Sequence, residues 1–303
     1  MSKQAYHVPV LFHESIEAMQ LNKGTVFVDV TYGGGGHSKE ILKHISDDSF
    51  LVAFDQDDDA LNNIVEDDKL VFVNANFRFL KNFLKYHELD KVDAILADLG
   101  VSSHQFDEAE RGFSIRSTGQ LDMRMNQNAD LTAFKVVNKY SDKELYRVFN
   151  SYADLKNVGK IVPEIIKNRK QKIIETTADL VAIMEKLVKG KKQNQFLAQV
   201  FQAIRIEVND EMGALEDMIE QAADVLKPGG RLVVISYHSL EDRLVKNFIR
   251  SGRFDGKLET DVFGNVDKPL TAVNRKPIIP TDDENGRNSR ARSAKMRIAI
   301  KND

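Results

Sequence analysis

Four consecutive glycines at positions 33–36, followed some way on by the acid Asp55, are the residues whose types and spacing most clearly indicate chemistry. The glycines come after an apolar run, 25–30, and before an amphipathic run, 39–45, an order typical of a strand, a loop and a helix. Glycine lets the backbone approach a ligand with no Cβ in the way, and the helix that follows presents free N–H groups. Asp55 ends a second apolar run, where an acid about 20 residues beyond such a loop typically binds the ribose hydroxyls of a nucleoside cofactor.

Other polar and aromatic residues follow the later apolar runs in the same way. They are residues 74–77, Asp98 and residues 236–239. Ligands of parallel sheets bind at the carboxyl ends of the strands, so we expect these residues to share one site. Each also has an ordinary structural alternative: Asp55 can cap the next helix, Phe77 can belong to the core, and His238 can be a buried histidine with satisfied hydrogen bonds. Their common position favours a ligand site, and periodicity does not identify the ligand.

The elements that must position these residues alternate between strand and helix at both ends of the chain. Apolar runs predict strands at 25–30, 50–54, 70–73, 92–96, 231–236 and 295–300. Amphipathic runs predict helices at 39–45, 57–64, 77–87, 211–226 and 240–250, with a turn at 227–230. The alternation is typical of an α/β protein with a doubly wound, parallel sheet.

This alternation is interrupted between residues 109 and 212, where no convincing buried strand is found. Helical runs fill the interval at 131–137, 142–150, 159–171, 177–188 and 193–209. We therefore predict a discontinuous α/β domain, residues 1–108 and 211–303, with an all-helical domain, residues 109–210, inserted into it.

Composition excludes several classes of protein. The 303 residues contain no cysteine, which excludes disulfides, thiolate catalysis and cysteine-based zinc sites. No two of the seven histidines have the spacing of ligands on a helix, so we expect no metal. No run approaches 18 apolar residues and the first residues have no signal-peptide core, so we expect a cytoplasmic protein with no membrane partner.

Charge is unevenly distributed, although the net charge is only −3. Residues 155–195 contain ten Lys or Arg against four Asp or Glu, and residues 286–303 contain six against one. Such segregation favours an anionic partner on one face, and the alternative is a solvated surface. The candidate phosphate contacts are Lys167, Arg169, Lys170 and Lys172 in the insertion and Arg287, Arg290 and Arg292 in the tail.

Further segments resemble the signature motifs of one family. They are residues 98–107 (DLGVSSHQFD), 111–114 (RGFS), 121–125 (LDMRM), 201–209 (FQAIRIEVN), 235–243 (ISYHSLEDR) and 288–295 (NSRARSAK). In these the chain resembles the bacterial small-subunit ribosomal RNA cytosine-N4 methyltransferases, which use S-adenosylmethionine. The resemblance covers His7 to about Ile300 and keeps the family's order of motifs. It implies a Rossmann-like methyltransferase domain with a helical insertion.

The resemblance also implies roles for individual residues. Gly35, Gly36 and His37 resemble the loop that contacts the methionine part of the cofactor, Asp55 the ribose ligand, Phe77 the adenine-side contact, and Asp98 and Gln105 the remaining cofactor contacts. The chain departs from the family at residues 152–155 (YADL), where Tyr-Gly-Glu-Glu is frequent, and at Val30, where a small residue is frequent. The first departure concerns RNA contact by the insertion, and the second concerns packing below the loop.

The activity implied by the resemblance is methyl transfer to the exocyclic N4 amine of a specific cytidine in the decoding region of 16S rRNA. The partner is then 16S rRNA, either naked or within a 30S particle. We expect Asp98 to accept the proton, with His238 as a second candidate, and Phe113 and Tyr237 to hold a flipped base. Methylation at carbon 5 would need a cysteine nucleophile, which this chain lacks. An NAD-dependent Rossmann enzyme and an inactive RNA-binding scaffold are the alternatives that remain.

Overall fold

The computed structural model describes residues 9–155, 158–261 and 263–303. The chain divides into two compact units, one formed by the residues up to Gly100 together with Met212–Asp303, the other by Val101–Glu211. The second unit begins eight residues before the predicted insertion. Val101 and Phe106 pack against the apolar core of that unit, a contact that periodicity over so short a segment does not indicate.

The first unit is built on one seven-stranded sheet. Its strands are β1 (Val26–Asp29), β2 (Phe50–Asp55), β3 (Leu70–Asn74), β4 (Val92–Asp98), β5 (Leu226–Ser236), β6 (Leu270–Ala272) and β7 (Lys295–Lys301), in the order β3-β2-β1-β4-β5-β7-β6. Strands β1 to β5 run parallel, and β7 pairs antiparallel with β5 and β6. The chain runs outwards from β1 to β3 and returns to β4 on the other side of β1. This reversal confirms the doubly wound α/β fold, and it places the switch point between β1 and β4.

The helices are α1 (Phe12–Met19), α2 (Gly36–His44), α3 (Leu80–Tyr86), α4 (Ser103–Asp107), α5 (Ala133–Lys139), α6 (Asp142–Tyr152), α7 (Val158–Gln171), α8 (Thr177–Met184), α9 (Gln193–Asn209), α10 (Glu211–Val225), α11 (Ser239–Ser251) and α12 (Asp282–Arg287). In the described part of the chain, none of them has both the length and the apolar composition needed to span a bilayer.

The central strands are largely apolar on both faces because both faces of the sheet are covered. Val28 and Val52 belong to one apolar cluster, whereas the adjacent Phe27 and Leu51 belong to another, as the twofold alternation of a strand requires. Burial on both faces holds the strands rigidly, so the residues at their carboxyl ends have fixed positions.

The second unit has a core of its own, formed by apolar faces of α5 to α9. Val136, Leu145, Ile161 and Ile204 in it are fully buried. Reciprocal side-chain and backbone hydrogen bonds begin α6 at Ser141 and α8 at Thr176. Within residues 101–155 and 158–211, strand pairing is limited to one isolated bridge, so this inserted unit is helical as predicted.

Several local predictions were wrong. The helix predicted at 57–64 is a 3-10 turn, Asp58–Asn63, because Asp57 caps it through the N–H of Asp59 and its asparagines favour turns. The start of the helix predicted at 77–87 is likewise a 3-10 turn, Phe77–Phe79. The turn predicted at 227–230 lies inside β5, where the register with β4 shifts. Strand β6 was missed because it has three residues, two of them exposed.

Candidate active site

The glycine loop is fixed at its base by Asp29, the last residue of β1. Asp29 Oδ1 accepts hydrogen bonds from the Thr31 backbone N–H at 3.0 Å and the Thr31 hydroxyl at 3.3 Å, and Oδ2 accepts one from the Ser38 hydroxyl at 2.7 Å. Burial raises the pKa of this carboxyl above its ordinary value. The bonds join the strand to the first turn of α2. This role of Asp29 was not predicted, although an acid at the end of an apolar run, close to Thr31 and Ser38, indicates it.

Three of the glycines face different surroundings. A Cβ at Gly35, whose φ is 74°, would lie 2.7 Å from the Tyr32 hydroxyl oxygen, and a Cβ at Gly36 would lie 2.4 Å from Pro9 Cγ. A Cβ at Gly34 would meet no atom within 4 Å. The lack of a side chain at Gly35 and Gly36 therefore lets the loop pack closely against Tyr32 and Pro9. The backbone at Gly34 faces open space, so a ligand can approach it there.

Asp55 lies at the end of β2, and both of its carboxylate oxygens accept backbone hydrogen bonds. Oδ2 accepts from the Gly33 N–H at 2.7 Å, and Oδ1 accepts from the Asp57 N–H at 2.9 Å. Burial raises the pKa of Asp55 to about 6, and these two hydrogen bonds limit the rise. The cap of the following turn is Asp57 rather than Asp55. Asp55 thus anchors the loop, and each oxygen retains a lone pair for a ligand hydroxyl.

Asp98 ends β4 and is held by side chains from both neighbouring strand ends. Its Oδ1 accepts a hydrogen bond from the Tyr237 hydroxyl at 2.7 Å, its Oδ2 lies 3.7 Å from His37 Nδ1, and its backbone N–H donates to Thr31 Oγ1 at 2.7 Å. Burial raises the pKa of Asp98 to about 7, and the Tyr237 hydrogen bond opposes that rise. A carboxyl that titrates near neutral pH is suited to exchanging a proton with a substrate.

His37, in the first turn of α2, is a neutral imidazole. It is 5 % exposed, and burial lowers its pKa to about 4. Its Nε2 has no hydrogen-bond partner among the described residues. An unsatisfied polar atom is costly when it is buried, so this nitrogen is a group that a bound ligand can satisfy.

His238 caps a helix. Its Nδ1 accepts a hydrogen bond from the Glu241 N–H at 3.4 Å, and the Glu241 carboxylate in return accepts from the His238 N–H at 3.2 Å. The other ring nitrogen, Nε2, lies 3.1 Å from Glu241 Oε1. Both nitrogens thus face Glu241, in the first turn of α11, and the hydrogen bond at Nδ1 favours the structural alternative, although the buried Nε2 makes no hydrogen bond to a described residue. Asp98 is therefore the stronger of the two candidates for the proton acceptor.

The remaining predicted site residues have separate places. Phe77 begins the turn after β3 and packs, half-buried, against the core of the first unit. Gln105 belongs to the second unit, where its side chain accepts from the Ser102 N–H at 3.0 Å and caps α4. Phe113 is 5 % exposed in the core of the second unit, which leaves little of its ring for a base.

The predicted phosphate contacts differ in how available they are. Lys167 and Lys172 are 66 % and 77 % exposed, and Lys170 is also exposed. Arg169 instead donates to the Val137 carbonyl at 2.8 Å, so it ties α7 to α5. In the tail, Arg287 and Arg292 are exposed and Arg290 is half-buried. Availability to a phosphate is therefore greatest at the three lysines and the two exposed arginines.

Comparison with known proteins identifies relatives over the full length. Residues 4–302 match the model of the MraW methylase family. The chain is 53 % identical over 300 residues to a protein of Phocaeicola vulgatus named ribosomal RNA small subunit methyltransferase H, covering 99 % of each chain. It is 54 % identical to the protein of that name from Bacteroides fragilis, covering 98 % of this chain and 97 % of the relative. With the protein of that name from Flavobacterium johnsoniae it shares 52 % identity, covering 98 % of each.

Proposed function

Because the chain belongs to the MraW methylase family, we propose that it transfers a methyl group from S-adenosylmethionine to the exocyclic N4 amine of a specific cytidine in the decoding region of 16S rRNA. The relatives named above are small-subunit ribosomal RNA methyltransferases, which supports this class of substrate. We base the choice of the amine on Asp98, a half-buried acceptor at the switch point whose pKa is about 7.

The residues of the first unit fit S-adenosylmethionine. Backbone at Gly34 faces open space, so the amino acid part can lie against the loop. The unpartnered Nε2 of His37 would meet a polar group of the same part. Asp55 has lone pairs for the ribose hydroxyls, and Phe77 is a half-buried aromatic beside the next strand end. When it is bound, the cofactor supplies an electrophilic methyl group on a sulfonium.

Asp98 orients the nucleophile and receives its proton. The N4 amine of cytosine is a weak nucleophile because its lone pair is delocalised into the ring, so alignment is the main requirement, and alignment can supply roughly 7–11 kcal/mol of a barrier. Tyr237 occupies Oδ1 of Asp98, which leaves Oδ2 to accept a hydrogen bond from the amine. A carboxylate with a pKa of about 7 retains that proton transiently and releases it to water near neutral pH.

Transfer to carbon 5 of cytosine is disfavoured by the composition of the chain. That reaction proceeds through a covalent adduct, in practice with a cysteine thiolate, and the 303 residues include no cysteine. Transfer to an exocyclic amine needs no such adduct, because the amine itself attacks the methyl group. The acceptor and the composition thus support the same product.

The second unit would recognise RNA. Its helix α7 contains the exposed cations Lys167 and Lys170, and Lys172 follows the helix directly; all three can contact phosphates without selecting a sequence. The choice of one cytidine then depends on the pocket and on the local shape of the RNA.

Methylation of purified 16S rRNA and of 30S particles with isotopically labelled S-adenosylmethionine tests the proposal. Mass spectrometry of the digested nucleosides should detect N4-methylcytidine at one position. Asp98→Asn should abolish the product, whereas Asp68→Asn, an exposed acid at the amino end of β3, should not. Labelled 5-methylcytidine, or a methylated base other than cytosine, would overturn the proposal. Binding of RNA without any transfer in a single turnover would support the inactive scaffold instead.

A further inference from the structure

A cleft of about 300 Å³ lies in the first unit beside the carboxyl end of β5. One wall is formed by residues 237–239, which join β5 to α11, and the other by residues from the segment 279–295 that precedes β7. The second wall includes Arg292 and Ser293, which belong to the tail motif. The cleft has a size that suits a sugar phosphate or a single nucleotide rather than a large ligand.

The charge of the cleft is positive. Arg292 and Lys295 line it, and no carboxylate is among its lining residues in the described part of the chain. Lys295 lies 3.4 Å from Asp242 Oδ2 and is partly neutralised by it. Arg292 is exposed and has no ion pair or hydrogen bond with any described residue. The cleft therefore contains a guanidinium that is free to bind an anion, and the planar fork of arginine suits phosphate.

The neutral groups of the cleft match a ribose. Ser239 and Ser293 supply hydroxyls, and Asn285 supplies an amide. Asn285 Nδ2 donates to the Pro280 carbonyl at 3.4 Å, while its Oδ1 is buried with no partner among the described residues. A hydroxyl of a bound sugar would satisfy this acceptor after a small turn of the amide, and a buried acceptor gains from such a partner.

Tyr237 connects the cleft to the reaction site. Tyr237 is one of the residues that line the cleft, and its hydroxyl donates to Asp98 Oδ1 at 2.7 Å. A nucleotide whose phosphate lies at Arg292 can therefore extend its base along Tyr237 towards Asp98. Together, the cation, the polar residues, the aromatic ring and the acceptor match the phosphate, ribose, base and amine of a cytidine nucleotide.

We infer that this cleft holds the ribose phosphate of the cytidine that is methylated, with Arg292 on the phosphate and Tyr237 beside the base. The inference rests on the proposed function and adds to it the part of the substrate that Arg292 recognises. A free inorganic phosphate shares the anionic chemistry but lacks the sugar and the base, so the experiments below compare the two.

Methylation kinetics of Arg292→Ala and Arg275→Ala provide the first test. Arg275 is an exposed arginine without a partner among the described residues, and it does not line the cleft. The loss of a charge-assisted contact should raise KM for rRNA about tenfold in Arg292→Ala and change kcat less than twofold, because the contact is made equally in ground and transition states. Arg275→Ala should behave as wild type. Equal kinetics in the two variants would overturn the inference.

Binding of small ligands provides a second test that does not need activity. Wild-type protein titrated with cytidine 5′-monophosphate should show NMR shifts or calorimetric heat that cytidine alone produces only at about tenfold higher concentration, and Arg292→Ala should remove the difference. Inorganic phosphate should compete only weakly. If phosphate competes as well as the nucleotide, the cleft is a simple anion site and the inference fails. If the nucleotide binds as expected but no N4-methylcytidine forms, the proposed function fails, and the cleft is a nucleotide site without the assigned methylation substrate.

Discussion

The hydrogen bond between Tyr237 and Asp98 should set the pH at which the enzyme becomes active. Removal of the hydroxyl in Tyr237→Phe takes away the donor that lies 2.7 Å from Asp98 Oδ1 and changes little else in shape. The bond stabilises the charged form of Asp98 and so lowers its pKa, while burial and the charges of Asp29 and Glu241 raise it. Without the donor, the pKa of Asp98 must rise further above about 7.

The size of the change follows from the energy of the bond. A hydrogen bond to a charged group contributes about 1.5–3 kcal/mol, and one pKa unit corresponds to about 1.36 kcal/mol, so the pKa should rise by about 1–2 units. The ionised fraction of Asp98 at pH 7 should then fall from about one half to roughly a tenth or less. The protonated carboxyl cannot accept the proton of the amine, so turnover at pH 7 should fall in the same proportion.

Single-turnover methylation measured from pH 5.5 to 9.5 tests this expectation. The rate of wild type should rise with pH as Asp98 ionises near pH 7, and the rising limb of Tyr237→Phe should be displaced by about 1–2 units to alkaline pH. The plateau at high pH should be largely retained. Tyr140→Phe is the matched control, since it removes a hydroxyl that donates to Glu207 at 2.8 Å in the second unit. A limb that moves equally in both variants, or in neither, would refute the assignment of Asp98 as the titrating acceptor.

Three further outcomes are expected. Asp55→Ala should weaken S-adenosylmethionine binding by about 1.5–3 kcal/mol in calorimetry, and unchanged affinity would remove Asp55 from the cofactor site. Asp98→Asn should lower turnover far more than cofactor affinity. It should also raise the free energy of unfolding at pH 8 by up to about 4 kcal/mol. The folded-state pKa of Asp98 is raised from 3.8 to about 7, so burial penalises the ionised form, and this gain should shrink as denaturant melts are taken from pH 7 towards pH 4. Neutralising Lys167, Lys170 and Lys172 together should flatten the dependence of rRNA affinity on salt while cofactor affinity stays constant; an unchanged slope would identify a merely solvated face.

The sequence was sufficient to predict the sheet because the decisive signals are local. Strands β1, β2 and β4 are largely buried on both faces, so each appears as a short, mostly apolar run, interrupted in β4 only by Asp93, that a helix face does not produce. Strand β6 gave no such signal, since Leu270 alone is buried in it. The sequence also does not indicate that the second unit starts at Val101, because that boundary depends on packing between residues far apart in the chain.

The sequence indicates which residues lie at the strand ends of the candidate site, but it does not indicate the hydrogen bonds that join them. The positions of Asp55 and Asp98 at strand ends could be predicted because acids that end apolar runs stand out in the sequence. The bond from Tyr237 to Asp98 joins residues 139 positions apart, and no pattern in the sequence indicates it. The role of His238 was more accessible, since His238 and Glu241 have the spacing of a capping box, but histidine is not among the usual cap residues.

Three acids, Asp29, Asp55 and Asp98, lie at the carboxyl ends of the strands, and their charges have a physical use there. Asp29, Asp55 and Asp98 all have a raised pKa because burial opposes their ionisation, and each therefore costs stability when it is charged. His37, the histidine among them, has its pKa lowered to about 4 and adds no compensating positive charge. A site that tolerates this excess of negative charge suits a cationic ligand, and the sulfonium of S-adenosylmethionine is one. The charge of the sulfonium disappears on methyl transfer, so the same carboxylates that favour binding of the methyl donor would contribute less to binding of the spent cofactor. The stability lost when these three acids ionise is thereby linked to binding of the methyl donor as well as to the anchoring of the loop by Asp29 and Asp55.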